Sequence, residues 1–281
     1  MTQKLPASIG TGIGTVPEQL PPVARGGGDA DVRVASLVTT SEAAQVLVEH
    51  LFAQTDAHIP GVSYAVTYKL AAGQAGGDIV DVYHFDNDSV AFSIADIEGK
   101  GTQAAVHAAL IKYGLRAYCS QGLTPERVLR SMDRLYLENN TFEGVESFAT
   151  VFFAVIDPSR RLMTYASGGH EPAIVIYPDG SSKVLEPTAP IIGVFDDLHH
   201  LFKQRHIELQ AGTLFVSATD GVTEARNPGG ELFGMGRLIE CAVEYRHENE
   251  KTIVEKLLER TEVYCEGRRH DDIAILAARF P

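Results

Sequence analysis

Two neighbouring strand patterns separated by a short turn constrain the fold of this chain more than any other feature of its sequence. Residues Ile79–Phe85 and Ser89–Ala95 are both typical of strands, and the second run alternates Val, Phe and Ile with small residues. The three residues between them, Asp-Asn-Asp at 86–88, form a turn cluster of hairpin length. The sequence therefore predicts a β-hairpin here.

The hairpin predicts a close pair of carboxylates. If the turn has three residues, Phe85 pairs with Ser89. The same register then places Asp78 opposite Asp96. Opposed residues have Cβ atoms about 4.5–5.5 Å apart, where like charges destabilise the pair, so we expect a cation between them. A turn of two or four residues would shift the register by one residue without separating the strand ends.

Further acidic residues also lie at strand ends. Asp220 follows the apolar run Leu214–Ala218, and Asp271 and Asp272 precede the last strand pattern, Ile273–Phe280. A carboxylate in such a half-buried position requires a partner. Several carboxylates brought together are typical of a site for hard divalent metal ions.

Composition argues against several classes of protein. The formal net charge of -13 and the isoelectric point near 5.2 argue against a nucleic-acid partner, which requires a basic face. Cys119, Cys241 and Cys265 show no CxxC spacing, so we expect reduced thiols in a cytoplasmic protein. No apolar run has transmembrane length and no secretory signal is present, so we expect no membrane association.

The predicted domain organisation is a tail followed by one domain. Residues 1–40 are rich in glycine and proline and are expected to be flexible. Residues 41–281 are predicted to form a single domain that begins with a short helix, Ser41–Ala53. Neither the spaced glycines of the tail nor the GKGT sequence at 99–102 has the context of a nucleotide-binding loop.

Apolar periodicity predicts four more helices. The first begins at Thr102, and its apolar stripe is predicted to face the core. This stripe consists of Val106, Leu110, Tyr113 and Ala117. A Thr-Pro-Glu start signal at 124–126 opens the next helix. Two late helices are predicted near Arg237–Tyr245 and Glu250–Cys265.

The strand patterns favour antiparallel sheets. Phe148–Ile156 is an apolar run typical of a central strand buried on both faces. Several other strand patterns are joined by short turns, and Asp179-Gly180 is interpreted as a plain hairpin turn. About ten such strands with paired helices fit antiparallel sheets covered by helices better than a doubly wound parallel fold.

Six motifs in order resemble the bacterial SpoIIE-type serine phosphatases, which belong to the metal-dependent PPM protein phosphatases. The motifs are GGDIVD at Gly76–Asp81, ADIEGKGTQAA at Ala95–Ala105, SGGHEP at Ser167–Pro172, SATDGVTEARN at Ser217–Asn227, ELFG at Glu231–Gly234 and DDIAIL at Asp271–Leu276. The resemblance runs from about Ile59 to Phe280. It implies an α+β fold of two packed antiparallel β-sheets flanked by α-helices.

The resemblance also implies a site for two divalent ions, Mn²⁺ or Mg²⁺. The implied ligands are Asp78, Asp96, the carbonyl group of Ile97, Asp220 and a terminal aspartate. Asp271 is favoured for the last position because it aligns as the first acid before the closing strand, and Asp272 is the alternative. Two metal ions about 3.5–4 Å apart can activate a bridging water for attack on phosphorus. Asp78, Asp96 and Asp220 would act in catalysis through this water.

Other polar residues of the motifs have open interpretations. His170 could protonate the leaving oxygen, but its Gly-Gly-His sequence favours a tight structural turn. Lys100 and Arg226 could contact phosphate and are interpreted as solvated side chains. Glu98 stands where relatives have a small residue; it could recruit metal or alter substrate access, but a solvent-facing role is favoured.

The leading hypothesis is a metal-dependent phosphatase for phosphoserine and phosphothreonine in proteins. The resemblance implies that the substrate is a STAS-domain anti-anti-sigma factor, whose dephosphorylation releases a sigma factor by partner switching. Control would come from a bound partner, from a homodimer through the N-terminal helix, or from neither. Two alternatives stay open, a degenerate phosphatase fold that binds without turnover and a metal phosphatase for small molecules.

Overall fold

The computed structural model describes residues 61–70, 77–85, 89–144, 146–268 and 271–280. The strands are β1 Ser63–Lys69, β2 Ile79–Phe85, β3 Ser89–Ile97, β4 Ala149–Asp157, β5 Leu162–Gly168, β6 Ala173–Ile176, β7 Ser182–Leu185, β8 Arg205–Glu208, β9 Leu214–Ala218 and β10 Ile273–Arg279. The helices are α1 Thr102–Ser120, α2 Pro125–Glu143, α3 Asp220–Thr223, α4 Gly234–Glu244 and α5 Glu250–Tyr264. The predicted flexible tail and the predicted helix Ser41–Ala53 lie outside the described residues.

The strands form two five-stranded sheets. The first sheet has the order β1-β10-β9-β6-β7, and the second has the order β2-β3-β4-β5-β8. Every pair of neighbouring strands in these two sheets is antiparallel. Strand β4 lies at the centre of the second sheet and is almost entirely buried, as its apolar run predicted. The predicted antiparallel architecture is confirmed.

Three apolar layers hold the sheets and helices together. Between the two sheets, Phe215 of the first sheet packs against Phe92 and Phe152 of the second, with ring centroids 4.7 and 5.4 Å apart. Helices α1 and α2 cover the outer face of the second sheet, and α4 and α5 cover that of the first. The result is the predicted sandwich of two sheets flanked by helices, and the fold class is confirmed.

The hairpin of β2 and β3 has the predicted register. Phe85 pairs with Ser89, and Ile79 pairs with Ala95 at the other end of the ladder. Asp78 immediately precedes Ile79, and Asp96 immediately follows Ala95. The register therefore brings the ends of β2 and β3 that carry these two acids to the same edge of the second sheet.

The predicted core face of α1 is wrong for three of its four residues, since only Leu110 packs against the core. Val106 and Tyr113 are each about half exposed, and Ala117 is exposed too. The buried face is formed instead by Ala104, Ala105, Ala108, Ile111, Leu115 and Cys119. The reason is packing distance, because the three alanines let the helix axis approach the sheet closely, whereas larger side chains would hold it away.

Two other expectations concern the cysteines and membrane-spanning helices. The described cysteines Cys119, Cys241 and Cys265 are free and buried, so none of them forms a disulfide. No helix among the described residues combines the length and the apolar character needed to cross a bilayer.

Candidate functional site

The predicted acidic residues lie at strand ends in both sheets. Asp78 precedes β2 and Asp96 lies near the end of β3, in the second sheet. Asp220 opens α3 directly after β9, and Asp271 and Asp272 precede β10, in the first sheet. The charges of Asp96, Asp272 and Asp220 raise the pKa of Asp78, and the charge of Asp271 raises the pKa of Asp96 and Asp220, so the fold brings the five residues together. We call them the aspartate cluster.

Two glycines allow the backbone around the cluster to approach closely. A Cβ atom on Gly77 would lie 2.1 Å from the carbonyl oxygen of Ile97, and a Cβ atom on Gly221 would lie 1.8 Å from that of Asp272. Both distances are far inside van der Waals contact, so only glycine fits at these positions. The glycines next to Asp78 and Asp220 are therefore required by packing at the site, beyond their role in turns.

A buried threonine holds Asp78. The hydroxyl group of Thr219 donates a hydrogen bond of 2.7 Å to Oδ2 of Asp78. The same hydroxyl accepts a bond of 2.9 Å from the backbone N–H of Ala274, whose carbonyl accepts one of 3.0 Å from the N–H of Thr219. Strand β10 therefore positions Thr219, and Thr219 orients Asp78. Thr219 was not among the predicted site residues, and its only sequence signal is its place directly before Asp220.

Three carboxyl groups of the cluster resist ionisation. Burial, as the largest cause, and the charge of Asp96, as the next, raise the pKa of Asp78 well above its usual range. Burial followed by the charge of Asp271 raises the pKa of Asp96. Burial, with added effects of Asp96 and Asp271, raises the pKa of Asp220 to about 7. Carboxyl groups placed together in this way would be stabilised as anions by a nearby cation.

The two terminal aspartates differ in exposure. Asp272 is buried, whereas Asp271 is exposed and lies 3.4 Å from Nζ of Lys100. The charge of Asp271 raises the pKa of both Asp96 and Asp220, and the charge of Asp272 also raises that of Asp96. Both residues therefore lie close enough to affect other members of the cluster. The assignment of Asp271 as the ligand stays a prediction.

The donor set fits a hard divalent cation. Carboxylate and carbonyl oxygens are the ligands that Mg²⁺ and Mn²⁺ prefer, and repulsion among the carboxylates would be relieved by a positive ion. Glu171 and Glu224, which the sequence analysis did not single out, add negative charge near Asp220. Within the described residues, no three Asp, Glu, His or Cys side chains already surround one point as a metal shell. Binding an ion would therefore draw the carboxyl groups inward.

His170 lies beside the cluster as a buried, neutral imidazole. Its Nδ1 is 2.8 Å from Oγ1 of Thr150, and Thr150 pairs with Asp96 in the ladder of β3 and β4. Burial lowers the pKa of His170 to about 3, so the ring is neutral near pH 7 and holds no proton to give as an imidazolium. Gly169 has a φ of 65°, a left-handed conformation that suits a tight turn.

The three charged residues with open interpretations occupy different places. Lys100 contacts the cluster through Asp271, as described above. Arg226 is exposed and donates a hydrogen bond of 3.3 Å to the carbonyl oxygen of Gly230 in its own loop. Glu98 is exposed at the edge of the site, directly after Ile97.

Comparisons with known proteins agree with this fold. Residues 86–281 match the family model described as Stage II sporulation protein E (SpoIIE). The phosphoserine phosphatase RsbU of Bacillus subtilis is 30% identical over 204 residues, which cover 71% of this chain and 58% of RsbU. The chain spans less than two thirds of the length of the curated relatives named by the comparison.

Solved structures show a similar architecture. The match to the SiaA PP2C domain of Pseudomonas aeruginosa has a TM-score of 0.72 and 19% identity, and covers 90% of this chain and 99% of that domain. RsbX, solved in complex with magnesium, matches with a TM-score of 0.56 and 20% identity over 78% of this chain and 96% of RsbX. Because the family model matches most of this chain, the chain belongs to the SpoIIE family, and it has the fold of PP2C phosphatase domains.

Proposed function

We propose that this protein uses divalent metal ions to hydrolyse phosphoserine and phosphothreonine in a partner protein. The observation that carries the proposal is the aspartate cluster, in which carboxyl groups from both sheets raise one another's pKa. The match to the SpoIIE family and to a phosphoserine phosphatase supports the type of reaction. The fold by itself would not support a particular reaction, because one fold can carry many activities.

The cluster would hold two ions, Mn²⁺ or Mg²⁺. The proposed donors are Asp78, Asp96, the carbonyl group of Ile97, Asp220 and Asp271, with Asp272 as the alternative to Asp271. When bound, the ions would supply an activated water and neutralise charge on the phosphoryl oxygens. A divalent cation as cofactor is supported by RsbX, a structural neighbour solved with magnesium.

The protein's own residues would hold the donors and receive the phosphoryl group. Thr219 orients Asp78, and Gly77 and Gly221 allow the backbones that carry the donors to meet. Lys100 supplies a positive charge at the exposed edge of the cluster, where a phosphate dianion would approach. Neither a serine nor a cysteine nucleophile is required for this reaction, because water is the attacking group.

The proposed substrate is a phosphorylated STAS-domain anti-anti-sigma factor in a cytoplasmic partner-switching pathway. RsbU, itself a phosphoserine phosphatase, supports phosphoserine as the group that is hydrolysed. We further propose that the predicted N-terminal helix forms a homodimer contact. Light scattering on the full chain and on a form that begins at Ile59 would test this contact. We expect a dimer for the full chain and a monomer for the shortened form.

Hydrolysis of p-nitrophenyl phosphate tests the proposed reaction. We expect activity with Mn²⁺, none with a chelator, and a loss of about 100-fold or more in Asp78→Asn and Asp220→Asn, since even residues that only support a metal ligand contribute about 10–100-fold. Asp179→Asn, in an exposed hairpin turn, is the matched control and should keep full activity. Activity that survives the chelator and both substitutions would exclude the metal-dependent mechanism.

A further inference from the structure

Large apolar side chains are exposed at the end of the molecule that carries the aspartate cluster. Phe142, in the last turn of α2, is 91% exposed, and Phe148, just before β4, is 38% exposed. Val194 and Phe195, in the loop between β7 and β8, are 44% and 45% exposed. We call these four residues the apolar rim. Exposed apolar side chains gathered in one region are typical of a binding surface.

Phe148 connects the rim directly to the site. Its carbonyl oxygen accepts a hydrogen bond of 3.0 Å from the backbone N–H of Glu98. Glu98 is two residues beyond Asp96, a proposed metal ligand. A molecule whose phosphate lies at the aspartate cluster would therefore have Phe148 among its immediate neighbours.

The loop that carries Val194 is bound to the same strand end. Ala149 pairs with Ile97 in the ladder of β3 and β4, and it exchanges two backbone hydrogen bonds, of 3.0 and 2.9 Å, with Ile192. Val194 follows Ile192 by two residues. Two independent connections, one through Phe148 and one through this loop, thus place Phe148 and Val194 of the rim beside the site.

A cavity of about 560 Å³ extends the rim along α2. It is lined by Arg134, Leu137, Glu138, Thr141, Phe142, Asp196 and His199. Asp133 of α2 connects the helix to the loop on the other side of the cavity. Its carboxylate accepts a hydrogen bond of 2.9 Å from the N–H of Gly193 and lies 3.0 Å from Nδ1 of His199. The cavity is therefore formed between two connected elements, and a docked chain would not have to open it.

The charge around the rim indicates what would bind there. Six exposed acidic residues lie in or next to the segments that carry the rim and the cavity, against one exposed arginine of the cavity lining, Arg134. The acidic residues are Glu98, Glu138, Glu143, Glu146, Asp196 and Asp197. Acidic side chains on a partner would be repelled by these residues, whereas basic side chains would be attracted. The apolar side chains of the rim require apolar side chains on the partner.

From these observations we infer that the apolar rim docks the phosphorylated segment of the partner protein, in which apolar and basic side chains flank the phosphorylated residue. The inference rests on the proposed function, since it places the phosphoryl group at the aspartate cluster. It adds a rule for substrate choice that the cluster alone does not provide. A small aryl phosphate would occupy the cluster without using the rim.

Fluorescence anisotropy with synthetic peptides tests the inference on the full chain. The first probe is a labelled 15-residue peptide with a central phosphoserine flanked by Leu, Phe and Lys; in the second, Ser replaces Leu and Phe, and in the third, Glu replaces Lys. We expect the first peptide to bind the unmodified chain about tenfold more tightly than the other two, as for the loss of one well-packed contact. Phe142→Ser and Phe195→Ser should each weaken binding of the first peptide by about tenfold.

Two controls separate docking from damage and from catalysis. Val263→Ser, at a residue that is 72% exposed on α5, should bind the first peptide like the unmodified chain. Hydrolysis of p-nitrophenyl phosphate should be unchanged in all three variants. Rim variants that bind the first peptide normally, or that lose aryl phosphate hydrolysis in parallel with binding, would overturn the inference. If the peptide binds through the rim while nothing is hydrolysed, docking stands and the proposed function fails.

Discussion

Thr219 shows how a residue that binds no substrate can control the site. Its hydroxyl group donates to Asp78 and accepts from Ala274, so it fixes the Asp78 carboxylate in one orientation. Thr219→Val keeps the shape of the side chain but removes both bonds. We expect it to weaken Mn²⁺ binding by about 10–100-fold, as measured by isothermal titration calorimetry, because supporting bonds orient the ligands of a metal.

Thr219→Ser is the matched control, because it retains the hydroxyl group and should restore most of the Mn²⁺ affinity. A general loss of packing would not be repaired in this way, since serine is smaller than valine. If the valine variant binds Mn²⁺ as tightly as the unmodified chain, Thr219 does not act through Asp78.

Gly221 is predicted to be indispensable for the fold at the site. Gly221→Ala would place a Cβ atom 1.8 Å from the carbonyl oxygen of Asp272 and force β10 and α3 apart. We expect a loss of about 3 kcal/mol in the free energy of unfolding, measured by urea denaturation. Gly236→Ala, in the exposed part of α4 with open space around it, should instead be neutral or stabilise by up to about 1 kcal/mol. Equal effects of the two substitutions would contradict this account.

Some residues of the site could be predicted from sequence and others could not. Asp78 and Asp96 could be paired by counting along a hairpin, because register is a local property of the turn. The bond from Thr219 to Asp78 joins residues 141 positions apart, and no local pattern indicates it. Asp271 and Asp272 are adjacent and chemically identical, so only the packing of β10 distinguishes the exposed one from the buried one.

Helix α1 shows why apolar periodicity can indicate the wrong face. Val106 and Tyr113 of its predicted stripe point to solvent, and three alanines with Ile111 and Leu115 face the second sheet. Alanine contributes little to a hydrophobic pattern, yet it allows the closest approach of a helix to a sheet. The period of the helix was therefore predicted correctly, and its orientation was not.

Truncation of two residues of α1 to alanine tests its orientation. Ile111→Ala should lower the free energy of unfolding by about 2–5 kcal/mol, since it leaves a cavity against the second sheet. Val106→Ala, on the exposed face, should change it by less than about 0.5 kcal/mol. Urea denaturation curves of the two variants provide the comparison. The opposite order would mean that the Val106 face is the one in contact with the core.

The strands were easier to predict than the helix faces. Alternation and short turns specify a hairpin with few residues, and the apolar run before Asp157 marks β4 as central. The pairing of β9 with β10 joins distant parts of the chain, and only the family resemblance implied that Asp220 would meet the terminal aspartates. Long-range pairing is where local sequence patterns carry least information.

In the molecule as a whole, negative charge is concentrated where a cation and a basic partner are proposed to bind. The aspartate cluster is formed by strand ends of the two sheets, and six more exposed acids lie in or next to the segments that carry the apolar rim and its cavity. An arrangement of this kind is costly unless positive charge balances it. Divalent ions would therefore stabilise the fold as well as the reaction, through their preference for the folded chain.

The number of Mn²⁺ ions bound per chain tests the central claim most directly. The electron paramagnetic resonance signal of free Mn²⁺, followed while the full chain is titrated, reports the ions that are bound. We predict two ions per chain for the unmodified protein and fewer for Asp220→Asn at the same concentrations, with Asp179→Asn unchanged. A chain that binds no Mn²⁺, or an Asp220→Asn variant that binds as many ions as the unmodified protein, would contradict the assignment of the aspartate cluster as the metal centre.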